Sequence, residues 1–119
     1  MLKRIENILN EINCYELTEM VEADIDYKNA KTYNEQKAIL IGGIQYMYDM
    51  FTESGNSFYD DLEEAREIMD DVANGEGTKY RASQIDNARR TIVEWGNIRK
   101  YAIKFGVTTW QRYENPINF

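Results

Sequence analysis

The stretch Ser57-Phe58-Tyr59-Asp60-Asp61-Leu62-Glu63-Glu64-Ala65-Arg66-Glu67-Ile68-Met69-Asp70-Asp71-Val72 decides the fold class. Phe58, Leu62, Ala65, Met69 and Val72 recur at steps of three and four, the spacing of one face of an α-helix. The positions between them are almost all carboxylates. A helix with one apolar stripe is stable only when that stripe is covered, so the pattern calls for partner helices. Ser57 reads as the N-cap, and acids in the first turn suit the positive end of the helix dipole. Gly75-Glu76-Gly77 reads as a flexible loop that ends the helix.

Working outward toward the N-terminus, Ser54-Gly55-Asn56 is a turn. Before it lies an apolar series at Leu40, Ile41, Ile44, Met47, Tyr48 and Phe51. Thr32-Tyr33-Asn34-Glu35 has the form of a capping box and opens this helix. Gly42-Gly43 interrupts the series, at a cost of roughly 2 kcal/mol of helix stability relative to two alanines. A close crossing by another helix, or a kink, would account for them. Further back, Leu2, Ile5, Ile8, Leu9 and Ile12 define a first helix that ends at Asn13-Cys14. Leu17, Met20 and Val21 mark a second, whose pattern is lost between Asp26 and Ala30.

Toward the C-terminus, a long helix is expected from near Ser83, with Ile85, Ala88, Ile92, Trp95, Arg99 and Ala102 on one side. Gly106 suits its C′ position. The tail from Val107 carries Trp110, Tyr113 and Phe119 around the lone Pro116. The expected architecture is all-α: a single-domain bundle of about four to five helices over residues 1–119, with a short aromatic C-terminal tail.

Composition narrows the function classes. The chain has 119 residues, one cysteine, one proline and no histidine. Cys14 alone forms no internal disulfide, which fits a reducing compartment. Without histidine, Ser–His–Asp and Cys–His catalysis are excluded, as is the Glu-x-x-His pattern of di-iron bundles. There is no phosphate loop and no EF-hand loop. We therefore expect no enzyme activity, no cofactor and no metal. The most apolar stretch, Ala38 to Phe51, contains Gln45 and Asp49 and is too short to span a bilayer. The start, Met1-Leu2-Lys3-Arg4-Ile5-Glu6, passes directly into a helical pattern, so the expectation is a cytoplasmic protein with no membrane partner.

Charge placement is the most informative feature. The net charge is −7, but residues 1–77 hold 6 basic and 18 acidic residues while residues 78–119 hold 8 basic and 3 acidic. The acidic maximum supplies the candidate partner-binding residues: Asp60, Asp61, Glu63, Glu64, Glu67, Asp70, Asp71 and the adjoining Tyr59. A solvated helix face is the plain reading of such a run. The basic last helix packing beside the acidic one is another. The functional reading is a line of negative charge that occupies a basic, phosphate-binding groove on a protein partner. That would make the chain a small inhibitor or antidote, phage- or mobile-element-encoded and acting in the host cytoplasm. It would block a nucleic-acid-processing or defence enzyme.

Three alternatives stand beside it. The chain could be a virion or adaptor component that self-associates, as a homodimer for example, through its aromatic tail. It could bind DNA through residues 98–115, where Tyr101 to Tyr113 resembles a helix-turn-helix and Arg112 would face the nucleic acid. It could hold magnesium on Glu16-Leu17-Thr18-Glu19 and Glu67-Ile68-Met69-Asp70, shaped like the carboxylate pairs of helical nucleotide pyrophosphatases, although such pairs arise easily in an acidic helical chain.

Overall fold

The computed structural model describes residues 2–114, and among them the fold is all-α. The helices are α1 (Lys3–Ile12), α2 (Tyr15–Ala23), α3 (Ile25–Asn29), α4 (Tyr33–Thr52), α5 (Ser57–Ala73), α6 (Ala82–Lys104) and α7 (Thr109–Glu114), with a 3-10 turn at Gly77–Lys79. The two helices beyond the expected number are the short ones, α3 and α7. The contacts divide into two compact units, one formed by residues up to Asp49 together with those from Asn97 onward, the other by Met50–Gly96. The unit boundaries fall inside α4 and α6. Pro116 and Phe119 of the aromatic tail lie outside the described residues.

The first unit is built on the stripes read for α1, α2 and α4, while in α6 the buried face turns to Ile98 and Tyr101 beside Ala102, and Arg99, read on that side, is exposed. Ile5, Leu9 and Ile12 of α1, Leu17 and Val21 of α2, and Leu40, Ile44 and Met47 of α4 are buried with Ile98, Tyr101 and Ala102 of α6. Asn13 ends α1 in the left-handed region, and the Asn97 side-chain amide donates to the Ile12 carbonyl at 3.1 Å. The Gly42-Gly43 pair resolves into two different positions in an unbroken α4. A Cβ on Gly43 would meet Leu17 at 3.0 Å, Val21 at 3.2 Å and Met20 at 3.4 Å, so α2 crosses there; a Cβ on Gly42 would meet nothing within 4 Å.

Where the pattern fades after α2, the structure places the five residues of α3. Asp24 caps them, accepting from the Asp26 and Tyr27 amides at 2.8 and 3.2 Å. One turn is too short to show a period, so only the cap residue could have announced it. Gln36, 5% exposed, ties down this region: its oxygen accepts from the Leu2 amide and its nitrogen donates to the Ala30 carbonyl. The capping box at Thr32 is half formed. Glu35 donates its amide to the Thr32 hydroxyl, but its carboxylate accepts from that hydroxyl rather than from the backbone.

In the second unit, Ala65 and Ile68 of α5 pack with Ala88 of α6, and Met69, Tyr80, Ile85 and Ile92 surround them. Phe51 stacks at 5.4 Å from Phe58 and 5.6 Å from Trp95. Two details differ from expectation. The N-cap of α5 is Asn56, with Ser57 the first helical residue. Ile68 is buried in the stripe, while Met69 and Val72 are half-buried. Gly75 is not a floppy end. With φ of 80° it forms a Schellman closure: its amide donates to the Val72 carbonyl, and the Glu76 amide donates to the Asp71 carbonyl at 2.8 Å.

Candidate functional site

The acidic face of α5 belongs wholly to the second unit. At 3.6 residues per turn, Asp60, Glu64, Glu67 and Asp71 fall within an arc of about 60°, directed away from Leu62 and Ala65. Glu63 and Asp70 widen this stripe on one side and Asp61 on the other. All seven are exposed except Asp71, and Tyr59 at the N-terminal end is half-buried. Asp60 to Asp71 spans about 16 Å of helix axis, so the seven carboxylates present one charge per roughly 2.5 Å. Duplex DNA presents one per about 1.7 Å.

Two of the seven are already engaged. Glu63 pairs with Arg66 at 3.2 Å within the helix. Asp71 accepts from the Tyr80 hydroxyl at 2.5 Å and has Lys79 at 3.8 Å. That hydrogen bond, with added burial and the surrounding carboxylates, pushes the Tyr80 phenol up to about 12. Among the described residues, Asp60, Asp61, Glu64, Glu67 and Asp70 have no cation within 4 Å. Between α5 and α6 inside this unit runs a groove of about 260 Å³, floored by Ala65, Ile68 and Ala88 and rimmed by Asp61 and Glu64. It falls below the usual volume of a small-molecule site, which starts at about 300 Å³.

The basic C-terminal segment is divided between the two units, and its first part, on α6, packs beside α5, as one of the sequence readings expects. Lys79, Arg81, Arg89 and Arg90 belong to the second unit; Arg99, Lys100, Lys104 and Arg112 belong to the first. Residues 50–96 carry 5 basic and 11 acidic side chains, so −6 of the net −7 resides in this one unit. Of its basic residues, only Arg66 and Lys79 stand within 4 Å of an α5 carboxylate.

The other candidate chemistries find a structural setting too. Glu16 and Glu19 lie in the first unit and Glu67 and Asp70 in the second, and all four are exposed. Residues 101–113 do form helix, turn and helix. Gly106, with φ of 71°, closes α6 by a Schellman motif in which Val107 donates to the Ala102 carbonyl. A reciprocal capping box opens α7: the Gln111 amide donates to the Thr108 hydroxyl, and the Gln111 side-chain oxygen accepts from the Thr108 amide. The Thr108-x-x-Gln111 spelling was the signal for this short helix. Arg112 is held by Asp49 in a two-pronged pair, at 2.6 and 3.3 Å, with both side chains about a quarter exposed. The arginine that a DNA-binding reading relies on is thus committed to α4, while Trp110 and Tyr113 are exposed.

No family model matches this chain, and neither the curated proteins nor the solved structures contain a significant match to it.

Proposed function

We propose that this chain is a small protein-binding inhibitor or antidote encoded by a phage or mobile element. It presents the acidic face of α5 to the basic, phosphate-binding surface of a nucleic-acid-processing or defence enzyme. The observation that carries this reading is the row of exposed carboxylates on one helix, five of them without an ion-pair partner among the described residues. Their density is about two-thirds that of duplex DNA. A fixed negative rod of this kind speeds encounter with a positive groove and opposes binding to negative ones.

The test is a capture from cells with the wild-type chain and a variant carrying Asp60→Lys, Glu64→Lys and Glu67→Lys. These three leave Asp71 and its bond to Tyr80 intact. Recovery of a basic nucleic-acid enzyme by the wild type alone, lost as salt is raised, supports the reading. Equal recovery by both at low salt rejects it.

A further inference from the structure

The first unit carries a surface opposite in sign to α5. The Arg4 guanidinium lies 3.9 Å from the centroid of the Tyr33 ring, and the Lys37 ammonium lies 5.7 Å from the same ring and 5.6 Å from Phe105. Phe105 stacks on Tyr101 at 5.9 Å. The ammonium groups of Lys104 and Lys100 sit 5.4 and 5.7 Å from the Tyr101 ring. Arg4, Lys37, Lys104 and Lys100 thus form a continuous band across α1, α4 and α6, each seated on an aromatic ring.

Glu11 is the carboxylate in this band. It accepts from Lys100 at 3.2 Å and from the Tyr101 hydroxyl at 2.5 Å. Among the described residues, Arg4, Lys37 and Lys104 have no carboxylate within 4 Å. They lie over aromatic rings rather than in ion pairs, although Lys104 also feels the Glu11 carboxylate. Tyr101 is only 4% exposed, and Tyr33 and Phe105 are half-buried with cations over their faces. Bases of a nucleic acid would find no fully open ring there, whereas single-strand binding normally uses exposed stacking platforms. What the band offers is a row of cations, and the same chain carries a matching row of anions.

We propose that the cationic band of Arg4, Lys37 and Lys104 docks the acidic α5 face of a second copy of this chain. A single such contact joins the band of one copy to the α5 face of the other and leaves the pair with one free face of each sign. It is electrostatic, weak and sensitive to salt. The inference does not depend on a foreign partner for α5. Its failure leaves the proposed inhibitor role untouched, and the two are read by separate measurements.

The test is sedimentation velocity on the full chain, the Glu64→Lys/Glu67→Lys variant and the Lys37→Glu/Lys104→Glu variant. It is run at about 50 mM salt and again at about 0.5 M, where screening falls to within a few ångströms. The wild type is expected to associate at low salt and to separate at high salt. Each variant alone should associate roughly tenfold more weakly, because each reversal replaces an exposed attractive pair by a repulsive one. An equimolar mixture of the two variants should associate again, since one supplies an intact band and the other an intact α5. That recovery also shows that both are folded. If a variant proves unfolded by circular dichroism, Glu→Gln or Lys→Gln at the same positions replaces it, with the same expected weakening. A wild type that stays monomeric at low salt overturns the proposal. So does association that survives both sets of changes, which would place the contact on another surface, or a mixture that fails to recover. Capture of a labelled oligothymidine by a non-associating wild type would assign the band to a foreign polyanion, and so also overturns it.

Discussion

Replacing Gly42 and Gly43 one at a time by alanine should have different effects, although the two stand side by side in α4. In a helix interior, glycine to alanine is worth about 0.8–1.0 kcal/mol through helix propensity alone. At Gly42 nothing lies within 4 Å of the added methyl, so the whole gain should appear. At Gly43 the methyl would stand 3.0 Å from Leu17 and 3.2 Å from Val21, both at most 1% exposed. A groove of about 300 Å³ opens beside Val21 and Gly43, but Leu17 is fully buried and must give way to the methyl, and overpacking of this kind costs about 1–3 kcal/mol. The net change at Gly43 is therefore between about zero and 2 kcal/mol of destabilisation. A chain of 119 residues has an unfolding entropy near 250 cal/mol/K at its midpoint, so 1 kcal/mol moves Tm by about 4 °C. Gly42→Ala should raise Tm by about 4 °C, and Gly43→Ala should leave it unchanged or lower it by up to about 8 °C. Differential scanning calorimetry of both variants measures this directly. Equal stabilisation by the two changes would show that α2 does not cross on Gly43.

Two further outcomes follow from the hydrogen-bond geometry. Arg112→Ala should cost about 1–2 kcal/mol, because it breaks a two-pronged, partly buried pair that fastens α7 to α4; a double-mutant cycle with Asp49→Ala in urea reads the coupling, and a value near zero would show that the pair is an incidental surface contact. In a spectrophotometric titration, Tyr80 and Tyr101 should ionise last, near pH 12. Tyr80 is raised chiefly by its bond to Asp71, and Tyr101 chiefly by burial and then by its bond to Glu11. Their folded-state values exceed the ordinary 10.0, so the stability they lend is complete below pH 10 and is lost as the pH climbs through about 12. Tyr101→Phe should remove one late proton. It should also let the Glu11 carboxyl, held low first by Tyr101 and then by Lys100, rise toward its usual value. If no tyrosine titrates late, both hydroxyl–carboxylate bonds are absent in solution.

The long amphipathic helices were legible because each repeats its apolar period over several turns. Ile5, Leu9 and Ile12 are buried as read, as are Leu40, Ile44 and Met47. Shorter devices were not legible by period. The five residues of α3 and six of α7 each span fewer than two turns, and only Asp24 and the Thr108–Gln111 pair signal them. At α5 the acidic run forecast a charged face, and the seven carboxylates do share one side of a helix. Which of them are spoken for depends on Tyr80 and Lys79 returning past the Gly75 turn to Asp71.

Sequence alone determined the helical class, the absence of histidine chemistry, and the location of the acidic maximum. These follow from local composition and spacing, which the chain carries whatever its fold. Tertiary structure decided where the basic residues of the last 42 positions went. Linear order suggested an acidic body followed by a basic segment able to neutralise it. The fold instead keeps Arg81, Arg89 and Arg90 in the unit that holds α5 and places Lys100, Lys104 and Arg112 in the other. Charges interact through space and not along the chain, so only folding could set which carboxylates are paired and which stay exposed.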